Sequence, residues 1–347
     1  MISSGRVTQQ DIANRAGVHI TTVSLALRDS RRLPPATRER IQTMAAEMGY
    51  CPDPMLSALT VYRERLKRTR HQGVIAWMCP VVKKGQVSPN NLEYRKGAEA
   101  RCAEIGYELE DFSLGRLGKS RLASILRVRN IQGLLIPPQS FNRSHINFEW
   151  DSFSAVCFGF SLARPKLHLI TNAQYRSACM AVRALRAHGY RRIGFVTTHS
   201  TDERTDRNFS SGFWSEQRRF KPEERIRMLT LEGNTQNELA DFEKWYHECL
   251  PEVILSHHAP VLQFMKKLEI DLNECGYASL DLVTPDGSIA GIYQNYPLLG
   301  RAAVNYLVDM IHGNQRGVPA QRFQILIEGS WVEGETLRNK VVGPVQI

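Results

Sequence analysis

In the segment TQQDIANRAGVHITTVSLAL, Ala13, Gly17 and Val23 stand four and then six residues apart. That spacing leaves the first fifty residues little choice of geometry. Two short helices meeting at a sharp angle need a small side chain where they touch, which Ala13 supplies. They need a turn residue able to take a positive φ, which Gly17 supplies, and an apolar plug from the second helix, which Val23 supplies. The flanking residues agree. Thr8 is placed to cap a helix whose apolar positions are Ile12, Ala13 and Ala16, and Gly17 ends it. Val23, Ala26 and Leu27 recur at helical spacing after Thr21 and Thr22. Pro34 and Pro35 open a third helix carrying Ile41, Met44, Ala45 and Met48 on one face, and Gly49 stops it. The pattern predicts a helix-turn-helix, a unit built to lay its second helix in a DNA major groove.

Charge supports that expectation. The chain of 347 residues has a formal net charge of +10. Residues 1–72 hold 12 Lys and Arg against 6 Asp and Glu, so six of the ten surplus positive charges fall in about a fifth of the sequence. A basic excess concentrated in this way favours an anionic partner. The seven cysteines are scattered, with no C-x-x-C pair. MISSGRVTQQ has no hydrophobic signal region, and no run of 18 apolar residues occurs. The expectation is a reduced, cytoplasmic protein with structural thiols and no membrane partner.

The stretch VTQQDIANRAGVHITTVSLALRDSRRLPPATRERIQTMAAEMGYCPDP, residues 7–54, resembles the DNA-binding headpiece of the LacI/GalR (lactose-repressor) family. The order V-T-x-x-D-I-A-x-x-A-G-V-x-x-x-T-V-S, then T-R-E-R-I and M-G-Y-x-P, carries the likeness. By position, the resemblance implies that Ile20 and Thr21 begin the recognition helix and face base edges, with Leu25 one turn later. Thr8, Thr22, Ser24 and Thr37 would offer hydroxyls to phosphates, and Arg28, Arg31 and Arg32 would add charge to the backbone contact. Family members usually carry Arg where this chain has Leu25. Leucine cannot make the bidentate bond to guanine, though it can pack on a thymine methyl, so the preferred operator should differ from the family's usual ones.

The next segment, CPDPMLSALTVYRERLKRTRHQG, matches the family's hinge helix, of which two per dimer enter the minor groove and wedge a leucine into the central base step. Leu59 matches that leucine; Asp53 and Pro54 suit a helix start. The path from Leu59 to the first strand at Gly73 is longer than the family's and carries Arg63, Arg65, Lys67, Arg68 and Arg70. It reads as a longer helix or a basic linker beside the DNA backbone, with a merely solvated linker as the alternative.

From Gly73 onward short apolar runs (GVIAWMC, IQGLLIPP, SAVCFGF, RRIGFVT, PEVILS, YASLDLV) alternate with amphipathic stretches such as LEYRKGAEARCAEIG and RSACMAVRALRAHG. This is the rhythm of parallel sheets covered by helices on both faces. YRKGAEARCAEIGYEL, LRAHGYRRIGFVT and NYPLLGRAAVNYLVDMIHG look like the same family's effector domain, which is similar to periplasmic sugar-binding proteins. The fold class expected is therefore a small all-α helix-turn-helix headpiece followed by an α/β effector domain of two doubly wound subdomains. The expected divisions are a headpiece at 1–52, a hinge and basic linker at 53–72, and an effector and dimerisation domain at 73–347. Within that domain, subdomain one takes about 73–187 and 297–322, and subdomain two about 189–294 and 324–347.

The resemblance implies a small carbohydrate-like effector between the subdomains, beyond the carboxyl ends of the strands, and a homodimer on a pseudo-palindromic operator. Candidate ligand contacts are Tyr94, Asp281, Gln294 and Tyr296. An arginine usual in the family is replaced by Phe209, with Arg207 nearby, and an aspartate usual near LITNAQY is replaced by Asn172 or Ala173. No G-x-S-x-G, phosphate-binding G-x-x-x-x-G-K-[ST], G-x-G-x-x-G or H-E-x-x-H motif is present, so neither catalysis nor a cofactor is expected. His257 and His258 are adjacent and point apart on a regular element, which suits a loop or surface better than a metal site. The sequence thus points to a ligand-responsive, sequence-specific DNA-binding regulator with repression as the expected outcome. The alternative is a sugar- or nucleotide-processing α/β enzyme fused to a DNA-binding head.

Overall fold

A computed structural model describes residues 7–27, 29, 30, 32–50, 72–79, 89–113, 115, 118–140, 142–233 and 237–338. Arg28, Arg31, Leu59 and the basic run 63–70 lie outside these residues. The headpiece comprises α1 (Gln9–Ala16), α2 (Ile20–Leu27) and α3 (Pro35–Glu47). Thr8 closes a capping box on α1: its hydroxyl accepts from the Asp11 N–H, and the Asp11 carboxylate accepts from the Thr8 N–H at 2.8 Å. Gly17 takes φ 64° and carries the chain into α2. Ile12, Ala13, Val23, Ala26, Ile41 and Ala45 form the core between the three helices. Side chains from α3 lock the angle, Gln42 donating to the Ala26 carbonyl at 2.9 Å and Arg40 to that of Ala16 at 3.4 Å.

The first sheet has the order β13–β7–β5–β3–β1–β2, all parallel. Its strands are β1 (Gly73–Cys79), β2 (Tyr107–Ser113), β3 (Gly133–Ile136), β5 (Ser154–Phe158), β7 (His168–Asn172) and β13 (Gln324–Ile327); β4 (Ser144–His145) and β6 (Leu162–Arg164) pair separately. Period-two alternation sends Ile75 and Trp77 to one face of β1, and Ala76 and Met78 to the other. The first face is covered by α4 (Pro89–Ile105) and α11 (Tyr296–His312), the second by α5 (Lys119–Val128). Two glycines let α4 and α11 touch backbone to backbone. A Cβ on Gly97 would lie 1.9 Å from the Pro297 carbonyl oxygen, and one on Gly300 would lie 2.1 Å from that of Tyr94.

The second sheet has the order β14–β12–β11–β10–β8–β9, parallel except for the antiparallel β12–β14 edge. Its strands are β8 (Ile193–Thr198), β9 (Leu229–Leu231), β10 (Val253–Ser256), β11 (Gly276–Leu282), β12 (Ala290–Tyr293) and β14 (Ser330–Val332). All six residues of β8 are buried, as expected of a strand covered on both faces. α6 (Gln174–Ala187) and α8 (Asn208–Gln217) pack on one face against Phe195, Leu255 and Leu280. α9 (Glu238–Cys249) and α10 (Pro260–Lys267) pack on the other against Val196, Ile254 and Tyr277. The short α7 (His199–Arg204) follows β8 directly.

Two boundaries drawn from sequence move. Ala178, Ala181, Val182 and Leu185 of α6 are buried on the second sheet, so 174–187 packs with the second subdomain and not the first. β13 pairs with β7 in the first sheet, so 324–327 packs with the first subdomain. The chain therefore crosses between sheets in three short links, at Ala173, at Gln294 and Asn295, and at Glu328 and Gly329. The links are tied to one another: the Ala173 N–H donates to the Ile327 carbonyl at 2.8 Å, and the Asn172 amide donates to Gln294 Oε1 at 2.8 Å.

Candidate DNA interface and ligand cleft

The headpiece presents one side of α2 to solvent. Val23 and Ala26 are buried, whereas Thr21 is exposed and Leu25, one turn later on the same side, is half-buried. Leu25 takes no part in the headpiece core; Ile20 does, half-buried against it. Thr21 is held at the start of the helix by a 2.7 Å hydrogen bond between its hydroxyl and the His19 ring. Thr8 and Arg32 are exposed, and Thr22, Ser24 and Thr37 are half-buried. The amphipathic period thus gives α2 an inner face that holds it in place and an outer face free to read a groove. Arg38 does not join that outer surface; it pairs with Asp29 at 2.7 Å and fixes the turn after α2.

A cavity of about 640 Å³ lies between the two sheets, lined by both subdomains. The strands of each sheet end at it, which is where open α/β sheets bind ligands. Tyr94, Phe209, Asp281 and Tyr296 of the expected contacts line it, as does Asn172. Gln294 is buried and does not line the cavity; its amide accepts from Asn172 and donates to the Leu280 carbonyl, supporting the floor. Arg207 does not line it either. Asp206 and Arg207 both take positive φ, at 53° and 58°, so the chain turns there and leaves Arg207 exposed at the start of α8.

The acidic end of the cavity is a three-residue network across the cleft. Asn90, on α4, donates 3.0 Å bonds to the Asp281 carboxylate and to the Tyr296 hydroxyl, and that hydroxyl donates to Asp281. Asp281 belongs to the second sheet and the other two to first-subdomain helices. Burial raises the Asp281 carboxyl above the usual carboxylate range, against the opposing pull of those two donors. Tyr94 packs edge-on to Tyr296 with ring centroids 4.8 Å apart, and the glycine contacts between α4 and α11 set that spacing.

Asn90 and several other cavity residues escaped the sequence reading, and three of these bear on its chemistry. Arg204, the last residue of α7, donates across the cleft to the Gln139 carbonyl at 2.7 Å. His257, expected at a loop or surface, lines the cavity with both ring nitrogens buried and without partners, and its ring lies 4.9 Å from that of Phe209. Burial and the neighbouring His258 push its pKa down to about 3, so the ring is neutral. Gln174, at the start of α6, has an unpartnered buried Oε1. The one signal in the sequence was position: Gln174 and His257 follow directly on a crossover and a strand run, where a parallel sheet places its ligand contacts, and Arg204 closes the short helix after β8. The arrangement offers planar amides, hydroxyls and one imidazole to bond hydroxyl groups, with aromatic walls to face carbon.

Among the described residues no group of three His, Cys, Asp or Glu is placed to hold a metal ion. No helix among them is long and apolar enough to cross a membrane.

Residues 8–53 match the family of bacterial regulatory proteins, lacI family. The HTH-type transcriptional regulator PtxS of Pseudomonas plecoglossicida is 24% identical over 341 residues, 94% of this chain and 96% of that protein. Among solved structures, a transcriptional regulator CelR–cellobiose complex aligns with TM-score 0.55 at 17% identity, over 95% of this chain and 100% of that one. A Lac repressor dimer bound to operator and the anti-inducer ONPF aligns with TM-score 0.54 at 16% identity, over 96% and 99%. These structural likenesses establish a shared fold, a helical headpiece followed by two parallel-sheet subdomains.

Proposed function

We propose that this chain, a DNA-binding transcription regulator of the LacI/GalR family, acts as a homodimeric repressor whose operator affinity is set by a small polyhydroxylated effector in the cleft between its sheets. The observation that carries this is the cavity itself. It is lined from both subdomains by amides, hydroxyls and aromatic rings, in a chain that opens with a helix-turn-helix. Ligand in such a cleft bears on the angle between the sheets, and that angle bears on the spacing of two headpieces in a dimer. Coupling of this kind is typically about 1–3 kcal/mol and reciprocal, so an effector that weakens operator binding is itself held less tightly on operator.

On DNA, Thr21 and Leu25 are the side chains assigned to base edges, with Ile20 at their border. Thr8, Thr22, Ser24, Arg32 and Thr37 are assigned to the sugar-phosphate backbone, with Arg28, Arg31 and the Leu59 wedge alongside. The reading is tested by selecting random duplex DNA with the purified full-length protein at near-physiological salt. Enrichment of a two-fold-symmetric site is expected, and Leu25→Arg should move one position per half-site toward guanine by about 1–3 kcal/mol of discrimination. Failure of the folded dimer to enrich any sequence, with and without added metabolites, would overturn it.

A further inference from the structure

The cavity is lined by one carboxylate and one guanidinium. The Asp281 carboxylate is engaged by Tyr296 and Asn90. The Arg204 guanidinium reaches over the cavity from α7 and spends one N–H on the Gln139 carbonyl. Among the described residues no carboxylate lies within ion-pair distance of Arg204, and Tyr94 is an ionisable neighbour that acts on its charge. Burial works against that charge. A half-buried guanidinium without a counter-charge is costly unless something neutralises it. In the same cavity, both ring nitrogens of His257 and the Gln174 Oε1 are buried without partners.

We infer that the effector is an anion: a polyhydroxylated carbon chain or ring bearing a carboxylate or phosphate, whose oxyanion pairs with the Arg204 fork while its hydroxyls meet His257, Gln174 and Asp281. The planar guanidinium suits two parallel N–H···O bonds to such a group. Asp281 repels an anion beside it and accepts from a hydroxyl, so the cavity orients the ligand as well as selecting it. Bound this way, the ligand adds an ion pair where the two subdomains already meet through Arg204 and Gln139. The inference rests on the cleft being the effector site.

The test is calorimetric titration of the full-length protein with a panel of common hexoses and pentoses, each alongside its aldonic acid and its phosphate ester. At least one acidic member should bind about tenfold or more tightly than its neutral parent, and comparison of the acid with the ester identifies the oxyanion. Arg204→Gln should weaken that member by on the order of 10- to 100-fold, with neutral sugars weakened far less, and Arg204→Lys should restore part of the loss. Neutral sugars that bind as tightly as their acids, are indifferent to Arg204→Gln and are weakened by Asp281→Asn would overturn the anion while keeping the cleft. A panel in which no member binds would overturn both.

Discussion

The headpiece and the cleft are held together by contacts of opposite reach. In the headpiece every core residue lies between Ile12 and Ala45, and the cap, the turn and the plug are neighbours in sequence. In the cleft, Asn90 bonds Asp281 at a separation of 191 residues and Tyr296 at 206. Local contacts leave a spacing that can be read along the chain. Distant ones leave none, because two sheets and three crossovers must form before the partners meet. The contrast predicts which damage stays local and which spreads.

The largest expected effect is in the scaffold of the cleft. Gly97→Ala puts a methyl 1.9 Å from a backbone oxygen, which no rotamer change relieves, so α4 and α11 must part. A loss of about 3 kcal/mol or more in chemical denaturation is expected, with the Tyr94–Tyr296 pair disrupted and the headpiece still able to bind DNA weakly. A loss below about 1 kcal/mol would mean that the helices slide freely and the close approach is not what fixes the site.

The second effect isolates one buried group. Burial and the neighbouring His258 push the His257 pKa down to about 3 in the fold, from an ordinary value of 6.5. Between those values the unfolded chain binds the proton that the native ring refuses, so stability rises with pH through this window and is lost as pH falls from 6.5 toward 3. The slope is at most about 1.4 kcal/mol per pH unit. His257→Asn should flatten it, as urea melts of both proteins between pH 6.5 and 5 will report; an unchanged slope would show that the ring gains a proton without cost. The smallest effect belongs to the headpiece. Thr8→Ala removes the cap of α1 and should cost about 1 kcal/mol of headpiece stability. That loss is to be read by amide exchange in α1 with the effector domain unaltered; protection lost in β1 as well would break the separation between the regions.

How much of this could be read in the sequence follows from the same difference in reach. Ala13, Gly17 and Val23 occupy the positions their spacing implied, and the alternation of apolar runs and amphipathic stretches resolves into two parallel sheets. The subdomain boundaries were misplaced because α6 is amphipathic whichever sheet it covers; only the packing of Ala178, Val182 and Leu185 decides. Asp281 and Tyr296 line the cavity because they sit where a strand and a crossover end, and Tyr94 lines it from the first turns of α4. Arg207 was named for its nearness to Phe209, which stands where the family has arginine; sequence nearness does not tell that a left-handed turn leaves it exposed while Arg204, three residues earlier, lines the cavity. His257 lies in a loop, one of the two places expected of it, but that loop follows β10 into the cavity and buries both ring nitrogens, which adjacency to His258 does not foretell.

The three tied links between the sheets have a mechanical corollary. Asn172 stands beside that bundle and Tyr296 directly after it, and both line the cavity, so part of the cavity wall stands close to the fulcrum. Gly73, through which the headpiece is joined, opens β1 at the edge of the sheet away from the cavity, seven residues or roughly 23 Å along the strand. A turn of about 5° at the links therefore displaces that junction by roughly 2 Å over this arm. The fold is geared so that a rotation at the links moves the cavity wall beside them least and the junction with the helical headpiece most.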